Sequence, residues 1–70
     1  NDYVNLIINT KRPGPYQVEL FDPVGRTVMT RESGYTTFSL LIDGLLSGWY
    51  IAVVTNEEGK YLGQTRVFVK

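Results

Sequence analysis

Seventy residues make one domain at most, near the small end of what folds alone without a disulfide or metal, because a ~60-residue domain buries only ~60% of its unfolded surface. Seven basic and seven acidic side chains cancel to a formal charge of zero, so there is no field to gather nucleic acid or an anionic membrane, and an apolar fraction of 43% argues against disorder. Neither cysteine nor histidine is present, which excludes disulfides, thiol catalysis, a Ser-His-Asp triad and zinc sites of the usual ligands.

The chain begins at Asn1 with no signal peptide, transit peptide or membrane span, and reads as a piece excised from a longer protein. Tyr3 to Asn9 alternates as a half-buried strand, with Val4, Leu6 and Ile8 on one face. Two prolines around Gly14 then force an irregular connection over residues 10–15. Tyr16 to Asp22 alternates more cleanly, with Tyr16, Val18 and Leu20 inward and Gln17 and Glu19 outward.

Asp22-Pro23-Val24-Gly25 is a turn: Asp22 can accept from its own downstream amides, Pro23 presets φ, and Gly25 accepts a positive φ. Arg26 to Thr30 returns from it as the second arm of a hairpin. The polar run Arg31-Glu32-Ser33-Gly34 is expected to be a surface loop before Tyr35 to Asp43 resumes as a strand, with Phe38, Leu40 and Ile42 on one side.

Gly44 to Thr55, GLLSGWYIAVVT, is the stretch the rest packs around. From Gly48 it is too short to span a membrane and too rich in aromatic and β-branched residues for a helix. Trp49, Ile51 and Val53 point one way and Tyr50, Ala52 and Val54 the other; neither set is polar, so the expectation is a central strand covered on both faces. Asn56-Glu57-Glu58-Gly59 makes a hairpin loop, and Lys60 to Lys70 returns as the last strand, with Tyr61, Thr65, Val67 and Val69 on one face. Six short strands and no helical period predict an all-β fold, a small antiparallel immunoglobulin-like β-sandwich.

Chemistry-bearing groups are sparse. Glu57 and Glu58 at a hairpin tip read as solvated rather than as a catalytic pair, and Asp22 and Asp43 read as turn residues rather than calcium ligands. Arg12, Arg26, Arg31 and Arg66 are scattered, with no basic stripe. Trp49 and the tyrosines could stack on a sugar, but Trp49 and Tyr50 open the most apolar run, where core packing is favoured. No catalytic residue, metal site or cofactor is assigned.

The order of these signals resembles the C-terminal sorting domains of the type IX secretion system of certain Gram-negative bacteria. Val18 through Val28 is similar to that family's strand, Asp-x-x-Gly-basic turn and next strand, carried here by Asp22, Gly25 and Arg26. Phe38 through Asp43, with Leu46-Ser47-Gly48-Trp49-Tyr50-Ile51-Ala52-Val53, is similar to its stretch ending in Leu-x-x-Gly-x-Tyr-x-x-x-Val, carried by Leu46, Gly48 and Tyr50, with Trp49 where the family tends to a smaller aliphatic residue. Glu58-Gly59-Lys60 followed by Arg66-Val67-Phe68-Val69-Lys70 is similar to the family's basic-apolar ending.

The resemblance spans Tyr3 to Lys70 and implies a non-catalytic domain behind an N-terminal cargo. The partners it implies are an outer-membrane translocon, which takes the cargo from the periplasm to the surface or medium, and a surface sorting peptidase, which cuts upstream of Asn1. Under it, Arg66, Val67, Phe68, Val69 and Lys70 are the candidate translocon-recognition residues; the same alternation also suits a strand that only completes the sheet. The other reading is an immunoglobulin-like accessory or carbohydrate-binding module of a surface enzyme or adhesin.

Overall fold

The computed structural model describes residues 2–70; the expected cleavage point upstream of Asn1 lies outside the described residues. The chain is all-β, a small antiparallel sandwich of six strands: β1 (Tyr3–Ile7), β2 (Tyr16–Phe21), β3 (Thr27–Ser33), β4 (Thr37–Leu41), β5 (Gly48–Asn56) and β6 (Tyr61–Val69). No helix occurs among the described residues. One sheet has four strands in the order β3-β2-β5-β6, and the other is a two-stranded ribbon of β1 and β4. The shortest dimension, 15 Å, suits two sheets stacked ~10 Å apart.

The core is the set of residues whose alternation aims them between the layers. Val18 lies opposite Val54, Leu20 opposite Ala52 and Tyr50 opposite Val67, all buried. From the ribbon, Phe38 and Leu40 close the other side, paired with the half-buried Leu6 and Val4. No polar or charged side chain is buried among the described residues, so hydrophobic contact is what chiefly joins the layers, with the Ser33 hydroxyl donating to the Thr37 carbonyl at their margin. The connection over residues 10–15 is irregular, as its prolines require, and carries a cis peptide at Gly14-Pro15. The Tyr16 hydroxyl donates to the Arg12 carbonyl and ties this loop to the core.

Both hairpin turns of the larger sheet are built alike. In the first, the amides of Val24 and Arg26 donate to Asp22 Oδ1 at 3.0 and 2.9 Å, and the Gly25 amide donates to the Asp22 carbonyl at 2.9 Å. In the second, the amides of Glu58 and Lys60 donate to Asn56 Oδ1, each at 2.9 Å, and the Gly59 amide donates to the Asn56 carbonyl at 2.9 Å. The glycines take φ values of 93° and 81°, a region that side chains with a Cβ rarely enter. Asp22, Gly25 and Gly59 thus each have a complete structural role in closing a hairpin.

Three expectations are corrected. Arg31 to Ser33 is strand rather than loop, because Arg31, Glu32 and Ser33 pair with Val18, Gln17 and Tyr16; the run is polar because β3 is a solvent-facing edge. β5 is covered on one face only, since the ribbon shields Tyr50, Ala52 and Val54 while Trp49 and Ile51 face outward. In β6 an irregularity places Gly63 opposite Val54 and Tyr61 opposite Thr55, skipping Leu62. That extra residue reverses the alternation, so Leu62 packs on the core and Tyr61 is exposed.

The first turn also predicts an acid response. The Arg26 amide first of all holds the Asp22 carboxyl below its ordinary value; desolvation, the next largest effect, opposes it, and the Arg26 guanidinium and the Val24 amide add to the lowering. Because the folded-state value is the lower one, this stabilisation is complete above the unfolded value of ~3.9 and is lost as pH falls through the folded one. In thermal melts below about pH 4, Asp22→Asn is expected to lack the part of the acid destabilisation that native protein shows there; identical pH profiles would contradict the assignment.

Candidate functional site at one end of the sandwich

Antiparallel pairing sends the chain's distinctive residues to one end. β2 reaches that end at Phe21, which lies opposite Ile51 near the start of β5, and Gly48 at the head of β5 lies opposite Val69 at the foot of β6. The Asp22–Arg26 turn, the β4–β5 loop, Tyr50 and the segment from Arg66 to Lys70 therefore gather there. Gly59 does not, because its turn sits at the opposite end, where Asn56 lies opposite Tyr16.

The β4–β5 loop is held from two sides. Buried Tyr50 donates its hydroxyl to the Leu46 carbonyl at 2.6 Å, and the Asp2 amide donates to Asp43 Oδ1 at 2.8 Å. With its backbone fixed in this way, the loop leaves the Leu46 side chain standing in solvent. Two open recesses flank it and share Gly44 and Leu45. One, of about 420 Å³, runs between Asp22, Arg26, Leu46, Gly48 and Tyr50, and so joins the two motifs that lie apart in sequence. The other, of about 480 Å³, lies between Tyr3, Asp43, Phe68 and Lys70.

The outer face of the larger sheet adds aromatic surface at the same end. Trp49 and Phe68 are cross-strand partners with ring centroids 5.0 Å apart and planes tilted by 54°, and the Arg66 guanidinium lies 5.2 Å from the Trp49 ring. Trp49 is 53% exposed and Phe68 50%. The expectation that Trp49 packs in the core is therefore overturned: β5 is flanked by strands on both sides, but among the described residues no second sheet covers its Trp49 face.

The terminal candidates divide by alternation. Val67 and Val69 point inward and are 2% and 3% exposed, so their side chains belong to the core. Arg66, Phe68 and Lys70 face solvent. The surface position of Trp49 is hidden in the sequence because both faces of β5 are apolar there. The signal lay in its neighbours, since Ile51 lies opposite Arg66 and Val53 lies between Glu19 and Gln64, polar residues that mark this face as wet.

Such a surface offers apolar and aromatic contact with cationic groups at its edge, which suits recognition of another molecule's surface. No group of three or more acidic or metal-ligating side chains placed to hold a metal occurs among the described residues. No family model matches the chain, nor does any curated protein or solved structure.

Proposed function

We propose that this chain is a non-catalytic C-terminal secretion signal domain of immunoglobulin-like type. It directs an N-terminal cargo through the type IX outer-membrane translocon of a Gram-negative bacterium, and a surface sorting peptidase then removes it. The cargo ends outside the cell or on its surface. The observation that carries this reading is spatial: Asp22 and Gly25, then Leu46, Gly48 and Tyr50, and finally Arg66 to Lys70 resemble the family's motifs in order, and all lie at one end of the sandwich. Turn closure accounts for Asp22 and Gly25 alone, whereas an exposed Leu46 and an exposed Phe68 contribute little to folding and suit a surface read by a partner.

The proposal is tested by fusing residues 1 to 70, with the natural upstream linker, behind a periplasmic reporter in a host with an active type IX system. Reporter outside the cell, lost when the translocon is deleted, supports sorting. A folded, intact fusion retained in the periplasm contradicts it.

A second reading, an accessory or carbohydrate-binding module, is favoured by one observation, the outward Trp49 with Phe68 beside it. Exposed aromatic rings on a sheet face can stack on sugar rings, and a glycan array with native and Trp49→Ala domains tests this directly.

A further inference from the structure

The two edges of the four-stranded sheet differ in how they are protected. At β3, Arg31 lies opposite Val18, on the side the core uses, yet is exposed. An inward-facing charge of this kind blocks an incoming strand. β6 is interrupted only at Leu62; from Gly63 to Val69 it pairs regularly with β5, and no strand of the described chain pairs with its other side. Its outward backbone groups form a regular row that a further strand could satisfy.

Charge and shape state what that strand must be. From Lys60 to Lys70 the chain carries Lys60, Arg66 and Lys70 and no acidic residue. A second copy of β6 would bring cations against cations, which disfavours self-pairing. Toward the interior, a recess of about 190 Å³ between the sheets is lined by Leu6, Ile8, Val54 and Leu62 and opens beside β6. A strand laid along β6 would aim alternate side chains at this recess and the others at the face of Arg66 and Phe68.

We infer that β6 is an acceptor edge for an extended strand of a partner protein, apolar on the side facing the recess between the sheets and acidic on the side facing Arg66 and Lys70. Backbone pairing supplies most of the contact, and the charges set which partner is accepted. This deepens the sorting proposal, and the identification of the partner as a component of the export machinery rests on it.

The test uses two nine-residue peptides of alternating sequence, valine with glutamate and valine with lysine, titrated against the 70-residue chain by NMR with amide hydrogen exchange. The expected result is slowed exchange of amides between Gln64 and Val69, with the glutamate peptide bound about tenfold more tightly than the lysine peptide. The double variant Arg66→Glu/Lys70→Glu, at exposed positions and confirmed folded by its native spectrum, is expected to reverse that preference. Slowed exchange at β3 instead, equal affinity for the two peptides, or no binding of either overturns the inference. Export of the native fusion is read separately, so a negative peptide result leaves the sorting proposal standing, and a failed export leaves the edge result intact.

Discussion

Replacing Phe38 with alanine is expected to lower the stability of the domain by about 3–5 kcal/mol, the range for truncating a buried aromatic side chain. The β1–β4 ribbon shares no sheet with the other four strands, so its attachment depends on the side chains that Val4, Leu6, Phe38 and Leu40 send inward. Phe38 is the largest of these and is buried, with Leu6 opposite it in the register. A domain of this length holds roughly 4–10 kcal/mol in total, so the loss removes a large share of it and leaves a substantial unfolded population. Urea denaturation followed by tryptophan fluorescence measures the effect. A change below ~1 kcal/mol would show that the ribbon is not the lid of the core.

The second large effect separates neighbours on the last strand. Val67→Asp is expected to cost about 3–5 kcal/mol, because the carboxylate would enter the sandwich opposite buried Tyr50, without a charged partner. One residue earlier, Arg66→Glu removes an exposed contact with the Trp49 ring and is expected to cost no more than ~1 kcal/mol. The same denaturation series reads both, and comparable losses at the two positions would refute the division of β6 into a core face and a recognition face. The contrast also bears on removal of residues 68–70. That deletion takes away buried Val69 along with Phe68, so it confounds folding with recognition, whereas point changes at the outward positions do not.

Much of this architecture is legible in sequence where a strand has one wet face. Tyr16, Val18 and Leu20 alternate with polar residues and are buried as expected, and Phe38 and Leu40 follow the same logic. The first hairpin is legible in Asp22 and Gly25, since each residue type answers a specific backbone demand there. Legibility fails where tertiary context decides. The polar Arg31-Glu32 pair looks like a loop because an edge strand needs no buried face. Trp49 looks like core because an all-apolar strand does not say which face the second sheet will cover. Leu62 breaks the alternation of β6 through an extra residue that composition does not announce.

The candidate site was legible as separate motifs and not as a place. Order along the chain singled out Asp22, Leu46, Gly48, Tyr50 and the terminal strand, but only the register puts Asp22 and Leu46 on one recess with Phe68 close by. The same register sends Gly59 to the far end, where its part in the second hairpin explains it fully.

Sorting from this end of the sandwich is tested most directly by the export of two reporter fusions measured side by side in one translocon-active host: the native domain and the Arg66→Glu/Phe68→Ser double variant. Both substitutions fall on exposed positions, so the variant is expected to fold and to accumulate intact in the periplasm while the native fusion reaches the medium or the cell surface. Equal export of the two fusions, or retention of both, would contradict a sorting function read from this end of the sandwich.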